Sequence, residues 1–425
     1  MDTYRVKTSD KPIKSKRVFL PGSKSISNRA LLIASLCENK VELSNFLFSD
    51  DTRYMSSALR GLGAGIEMDK ANKTCVVTPS RSRQNGGDFF LGNAGTAMRF
   101  LVSYLNLYNG VFRLDGDERM RQRPLTDLID ALNAVGCDIK SEYGNGCPPV
   151  IIKADGFKGG DCWIVGKNSS QYISSILMSA PYSRDGVNLS VTGETASIPY
   201  IEMTINIMWD FGVGVLNEDY RWFAVKPSWY KCSGGYAIEP DASSASYFLG
   251  ITAILSGEVE IAGLGKNSVQ GDTFFADVLM KMGCEVEWKD HSVILRSDGK
   301  LHGVDVDLNR MPDTVPTLAV VAMFADSPTV IRNVANLRIK ECDRISALNS
   351  ELTKLGAGVE EYPDGLKIYP KPAYKPALIN TYNDHRMAMA FAMAGLLIDR
   401  VVIENPSCVS KSFPDFFSVF EDFMG

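Results

Sequence analysis

Only three histidines occur in 425 residues, and no Cys-x-x-Cys pair occurs at all, so no His/Cys spacing suits zinc and no metal is expected. The nine cysteines (Cys37, Cys75, Cys137, Cys147, Cys162, Cys232, Cys284, Cys342 and Cys408) are scattered and odd in number, which reads as reduced thiols in a cytoplasmic protein. Basic charge is in short supply too. The 45 lysines and arginines against 50 acidic residues give a net charge of -5, which argues against nucleic acid or an acidic membrane as a partner. Any anion site must therefore be local. Long apolar runs are missing: Tyr247 to Leu255 and Met387 to Ile398 fall short of the roughly 20 residues that span a bilayer. The stretch Met1 to Arg17 is polar and basic without the apolar centre of an export signal, so export is not expected. No Gly-x-x-x-x-Gly-Lys motif exists, and Gly61, Gly63 and Gly65 follow a helical run instead of opening one, which leaves nucleotide binding unsupported.

What is present is repetition. A helix-like run ending in apolar-Gly and followed by an alternating strand occurs at Gly63, Gly136, Gly212, Gly283 and Gly356, and Met424-Gly425 supplies a sixth. The spacing of roughly 70 to 76 residues is long enough for a whole supersecondary unit. Each Gly suits a helix C-terminal cap with positive φ. In the same rhythm, six polar loops open into helices that are apolar on every face: 23–28, 93–96, 168–171, 241–244, 311–314 and 383–386. Helices of that kind are buried. With 45% hydrophobic residues the chain can build more than one core, and three repeats per domain put the midpoint between Gly212 and Asp241. The chain before Pro21 cannot complete a unit alone, so it is expected to pair with the second half.

Leu20 to Arg29 shows what such a loop can do. Pro21 and Gly22 break an extended run, Ser23 to Asn28 supply donors, and Ala30 to Leu36 reads as helix. Free backbone N–H groups, the positive end of the helix dipole, Lys24 and Arg29 together suit phosphate or carboxylate; a Ser-capped helix with solvated basic residues is the plainer reading. If the buried helices run parallel, several such ends add. Gly92 to Arg99 places two glycines before a helix. Arg119, Arg121 and Arg123 precede an amphipathic helix from Leu125, where two are expected to be solvated and Arg123 to sit at the helix entry. Ser169-Ser170-Gln171 either donates hydrogen bonds to a ligand or caps a helix. Lys340 to Arg344 crowds opposite charges, a pattern usually found on solvated helix faces. Asp313, beside Pro312 at a helix entrance, is either a cap or a general base, and Asn383-Asp384-His385-Arg386 repeats that placement.

Taken in order, Pro21 to Arg29, Gly92 to Arg99, Ser169 to Gln171, Asp241 to Ser246, Lys340 to Arg344 and Asn383 to Met389 resemble the 5-enolpyruvylshikimate-3-phosphate synthase family of enolpyruvyl transferases, over about Pro21 to Pro414. The resemblance implies a two-domain inside-out α/β barrel of six βαβαββ repeats. It implies an N-terminal domain over 21–238, a discontinuous C-terminal domain over 1–20 and 239–425, and an active site in the cleft between them. It also implies transfer of the enolpyruvyl group of phosphoenolpyruvate to the 5-hydroxyl of shikimate 3-phosphate, with release of phosphate, on the route to chorismate. These two small molecules are the expected partners, with no cofactor, and a cytoplasmic monomer is the expected form.

Motif by motif, the resemblance implies shikimate 3-phosphate contacts from Lys24, Ser25, Arg29, Ser169, Ser170, Gln171, Ser197, Tyr200, Asp313, Asn336 and Lys340. It implies phosphoenolpyruvate contacts from Lys24, Gly95, Arg123, Gln171, Arg344, Arg386 and Lys411. Asp313 is the implied base and Glu341 the implied proton donor, with Lys24 near both ligands. Two positions depart from the family pattern: Cys342 stands where Thr is usual, and Phe100 where close relatives have Pro. Phe100 is expected to repack beside Gly95 and so to alter the response to a longer phosphoenolpyruvate mimic such as glyphosate. A related transferase acting on UDP-N-acetylglucosamine is disfavoured by the Ser-Ser-Gln and Lys-Glu-x-Asp-Arg runs, and a non-catalytic sensor by retention of Lys24, Asp313 and Glu341.

Overall fold

The computed structural model describes residues 2–9, 11–80 and 84–425. Among the described residues six small sheets organise the chain, and five of them share one four-stranded pattern. In the sheet formed by Gly86–Phe90, Asn109–Asp115, Val150–Asp155 and Ile139–Ser141, the first pair is parallel and the other two pairs are antiparallel. A helix crosses between the parallel strands and a second precedes the hairpin, giving βαβαββ. The strands alternate in burial: Val187–Thr192 buries every second residue and leaves the others to solvent, as a sheet covering one core face must.

The chain falls into two compact units, Gly22–Ile238 and Met1–Pro21 with Glu239–Gly425. In the first, Gly235–Ala237 returns to pair parallel with Val41–Ser44. In the second, Ile13–Val18 pairs parallel with Gly257–Ala262, and Thr3–Arg5 runs antiparallel to Val402–Glu404.

All six polar loops open into buried helices. Lys24–Ala34, Gly95–Tyr104 and Ser170–Ser179 lie inside the first unit; Ala242–Leu255, Val315–Val321 and His385–Leu397 lie inside the second. Five of the marker glycines take the positive φ that a helix C-cap needs, between 83° at Gly212 and 113° at Gly283. The polar residues on these otherwise apolar helices answer one another. Ser175 Oγ donates to the Arg99 carbonyl at 2.6 Å, Tyr104 OH meets Ser35 Oγ at 3.0 Å, and Ser246 Oγ meets Thr317 Oγ1 at 2.8 Å, so these hydroxyl residues permit close approach while satisfying one another.

Gly250 shows how close that approach is. A Cβ added there would lie 3.1 Å from Thr317 Cγ2 and 3.2 Å from both Met393 Sδ and Val321 Cγ2, so the three inner helices of the second unit meet at one missing side chain. Gly250→Val should lower that unit's stability by about 1–3 kcal/mol through overpacking. Urea unfolding followed by tryptophan fluorescence measures it, and an unchanged midpoint would mean that the helices part freely.

Candidate active site

In the unit Gly22–Ile238 the inner helices begin without negative charge. Their N-caps are Ser23, Ala94 and Ser169, and no acidic residue occupies any of the three first turns. Ser23 and Ser169 accept from the Ile26 and Gln171 backbone N–H groups, while Ala94 offers no side chain. Arg29, 1% exposed, is held by oxygens that carry no formal charge. It donates Nε to Thr204 Oγ1 at 2.7 Å, Nη1 to the Ser25 carbonyl at 2.9 Å, and Nη2 to Ser174 Oγ at 3.3 Å and the Tyr200 carbonyl at 3.2 Å. Burial depresses its pKa to about 10, which still leaves it charged at neutral pH. Lys24 Nζ stands 3.8 Å from Asp51 Oδ2.

Around the Gly95–Tyr104 helix start the backbone is crowded by cations. A Cβ on Gly95 would fall 2.6 Å from Arg123 Nη2 and 2.7 Å from Arg99 Nη1. Arg123 is buried and fastened by Nη1 to Asn93 Oδ1 at 2.9 Å, and Arg99 Nη1 donates to the Gly95 carbonyl at 3.0 Å. Gln171 Nε2 reaches Thr96 Oγ1 at 3.2 Å, joining two helix entrances. Ser170 is buried one position after the cap, and Ser197 adopts φ 56°, a left-handed conformation unusual for serine, where the Ile198–Asp210 helix begins. Phe100 is wholly buried, and the Arg29 guanidinium lies 5.1 Å from its ring centroid. The ring's partner at the site is thus Arg29, at the Lys24–Ala34 helix.

The second unit builds the opposite kind of site. Its inner-helix entrances carry the chain's own carboxylates: Asp241 and Asp384 as caps, and Asp313 in the Pro312–Thr314 turn. At these entrances a carboxylate of the chain itself occupies the positive end of each dipole, so the helix ends are matched internally. These carboxylates gather cations. Arg344, 1% exposed, donates Nε to Asp384 Oδ2 at 2.7 Å, Nη1 to Asp313 Oδ1 at 3.0 Å and Nη2 to Glu341 Oε2 at 2.8 Å. Arg386 Nη2 meets the other Asp313 oxygen at 2.6 Å, and Lys411 Nζ lies 3.5 Å from Glu341 Oε1. Burial works against the Arg344 charge, but Asp384, Glu341 and Asp313 outweigh it and hold its pKa above the ordinary arginine range.

Lys340 to Arg344 is accordingly no solvated helix face, since Glu341 and Arg344 are both buried. Its Asp343 caps the Arg344–Leu355 helix, which turns Arg344 inward. Cys342 Sγ donates to Asp384 Oδ2 at 3.6 Å, so the thiol keeps a bond to the hub; burial and Asp384 push its pKa far up and keep it protonated. Asn336 is buried in the Ala335–Ile339 turn and Lys340 follows it, half-buried. Sequence reasoning placed Asp384 at a helix entrance without seeing its partners, and gave no role to Asp51, Arg99 or Thr204. Asp384 was visible in the Asn383–Arg386 motif, and two successive left-handed residues, Tyr382 at φ 52° and Asn383 at φ 54°, mark its loop as strained. Thr204 sits mid-helix and left no signal.

Residues 9–420 match the family model described as EPSP synthase (3-phosphoshikimate 1-carboxyvinyltransferase). Proteins named 3-phosphoshikimate 1-carboxyvinyltransferase from Shewanella loihica and Shewanella baltica are 47% and 46% identical, over 95% and 96% of both chains. Among solved structures, EPSP synthase from Acinetobacter baumannii superposes with a TM-score of 0.82 at 24% identity, covering 99% of this chain and 98% of that one. The enolpyruvyl transferase NikO from Streptomyces tendae gives 0.78 at 18% identity, over 99% of this chain and 96% of that one. Those two likenesses bear on the fold, the two-domain inside-out α/β architecture of six repeats. With neutral, arginine-lined helix entrances in one unit, a carboxylate-guanidinium cluster in the other, and this extent of similarity, the chain belongs to the EPSP synthase family.

Proposed function

We propose that this chain transfers the enolpyruvyl group of phosphoenolpyruvate to the 5-hydroxyl of shikimate 3-phosphate, the reaction named for its relatives, and that residues of both units serve that one reaction. The observation that carries the residue assignment is the self-neutralised cluster at Arg344. Three carboxylates (Asp313, Glu341, Asp384) balance three cations (Arg344, Arg386, Lys411). Phosphoenolpyruvate brings a carboxylate and a phosphate, each able to take a guanidinium fork in place of Asp313. Substrate binding then frees Asp313 from Arg386 and Arg344 and exposes it as a base.

In this reading Arg29, Lys24, Ser25, Ser169, Ser170, Gln171, Ser197, Tyr200, Asn336 and Lys340 hold shikimate 3-phosphate. Arg123 and the backbone at Gly95, with Lys24, Gln171, Arg344, Arg386 and Lys411, hold phosphoenolpyruvate. Once phosphoenolpyruvate has drawn Arg344 and Lys411 to itself, Glu341 takes up a proton from water and then gives it to the C3 methylene, and positive charge develops at C2. The 5-hydroxyl oxygen attacks C2 as Asp313 takes its proton, forming a tetrahedral intermediate. Glu341, left as a carboxylate, then takes a proton back from C3, which restores the double bond while the C2–O bond to phosphate breaks and inorganic phosphate leaves. Among the described residues no helix is long and apolar enough to cross a membrane, which suits a cytoplasmic enzyme; we also infer that it acts as a monomer.

Four measurements test the assignment. Asp313→Asn and Glu341→Gln should each lower kcat about 10²–10⁴-fold, with substrate dissociation constants changed far less, because each moves a proton in the transition state. Equal losses of turnover and affinity would make them binding groups. Arg29→Lys cannot reproduce the guanidinium fork and should raise KM for shikimate 3-phosphate about 10- to 100-fold while leaving KM for phosphoenolpyruvate near its starting value. In the parent enzyme, shikimate 3-phosphate affinity should hold through neutral pH and fall as pH rises through about 10, where Arg29 loses its proton. Gly95→Ala must displace Arg123 or Arg99, and should raise KM for phosphoenolpyruvate about 10-fold or more with a smaller change for the other substrate. A KM for phosphoenolpyruvate that stays put would remove Gly95 and Arg123 from that subsite.

A further inference from the structure

One fully buried carboxylate has no part in the scheme above. Glu351 lies two turns into the Arg344–Leu355 helix and its side chain has no exposed surface. Lys354, on the same helix, donates Nζ to both of its oxygens at 2.8 Å. A Glu-Lys pair three residues apart on one helix is ordinarily a solvated surface pair that contributes little. Here a loop closes over the carboxylate: the Asn380 backbone N–H donates to Oε2 at 3.1 Å, and Tyr382 OH donates to Oε1 at 2.8 Å. Lys354 itself stays half in solvent, so it is the loop that takes the Glu351 charge out of water.

That loop is the one that presents Asp384. Tyr382 and Asn383 are both left-handed, a strained pair that persists only where its surroundings over-determine it. The Tyr382 N–H donates to Asn380 Oδ1 at 2.7 Å and the Asp384 N–H to the Thr381 carbonyl at 2.8 Å, while Asn405 Nδ2 donates to Asn383 Oδ1 at 3.1 Å. The Arg344–Leu355 helix grips the loop twice. Arg344, its first residue, meets Asp384 through Nε at 2.7 Å, and Glu351, seven residues on, meets Asn380 and Tyr382. Seven residues are nearly two turns of an α-helix, so the two grips lie on one helix face about 10 Å apart. One grip would let the loop pivot about the Arg344–Asp384 pair; two fix its direction. Asp384 also accepts from the Arg386 backbone N–H, so the direction of the loop sets where the His385–Leu397 helix begins and where the Arg386 side chain starts.

We propose that Glu351 is a positioning residue for phosphoenolpyruvate: by latching Asn380 and Tyr382 it holds Asp384 where that carboxylate aims Arg344 and Arg386. The inference rests on the reading of these two arginines as phosphoenolpyruvate ligands. A carboxylate suits the task because it only accepts, and three donors converge on it: an ammonium, an amide N–H and a phenol. Burial, with the Glu351 bond next, raises the Tyr382 phenol to about 12, which keeps it a donor at neutral pH.

The test is the steady-state kinetics of the full-length enzyme carrying Glu351→Gln or Tyr382→Phe. Glu351→Gln keeps the side chain's size but sets an amide NH2 against the converging donors. It should raise KM for phosphoenolpyruvate about 10-fold, with KM for shikimate 3-phosphate within about twofold of the parent value. Tyr382→Phe removes one hydrogen bond at an exposed ring and should raise the same constant about 2- to 5-fold; it decides the matter if Glu351→Gln does not fold. A KM for phosphoenolpyruvate that stays put in both variants overturns the proposal, and so do equal rises for the two substrates, which would make Glu351 a structural group alone. Arg344→Lys supplies the reference. Added to it, Glu351→Gln should raise KM for phosphoenolpyruvate by clearly less than it does alone, because the aim of the guanidinium is already lost; full additivity overturns the proposal. If Arg344→Lys by itself leaves KM for phosphoenolpyruvate unchanged, the assignment of that subsite fails and this inference with it.

Discussion

Arg344 is the charge on which the second unit's site depends. An arginine with almost no exposure must recover its lost hydration from close partners, and removing one partner of a buried pair costs about 3–5 kcal/mol. Asp384, Asp313 and Glu341 together meet every arm of its guanidinium. That requirement dictates much around it: the cap at Asp343 that turns the side chain inward, the left-handed pair Tyr382 and Asn383 that presents Asp384, and the turn at Pro312 that presents Asp313. Asp384 does double duty, since its Oδ1 also accepts from the Arg386 backbone N–H at 2.9 Å. One carboxylate therefore fixes both arginines.

The two units partner their buried cations in different ways. In Gly22–Ile238 the inner helices start with neutral caps, and Arg29 is held by hydroxyls and carbonyls, which carry no formal charge. In the other unit the cations are already matched by carboxylates. Neutralisation in advance also spares the folded chain the repulsion of clustered like charges.

The two departures from the family pattern fall on this machinery without breaking it. Cys342 donates to Asp384 through sulfur, a weak donor. Phe100 places its ring against Arg29, whereas its neighbourhood in the chain had suggested an influence on Gly95. A face of π-electrons beside a buried guanidinium adds electrostatic support where no carboxylate is offered.

The sequence by itself determined the local elements. Polar loop followed by all-apolar run dictates a buried helix because no face of such a run can be left in water, and all six formed. Glycine at the end of each amphipathic run dictates a left-handed cap because other residues pay a steric cost at positive φ, as the angles at Gly63, Gly136, Gly212, Gly283 and Gly356 reflect. Which charges meet was a different matter. Asp313, Arg344 and Asp384 are separated by 31 and 40 residues, and nothing in the spacing of Lys340 to Arg344 distinguishes a solvated helix face from a buried hub. The ring of Phe100 found Arg29 for the same reason. Helix and cap follow from interactions within a few residues, whereas the pairing of buried charges is set by the packing of distant segments, and only the tertiary structure decided it.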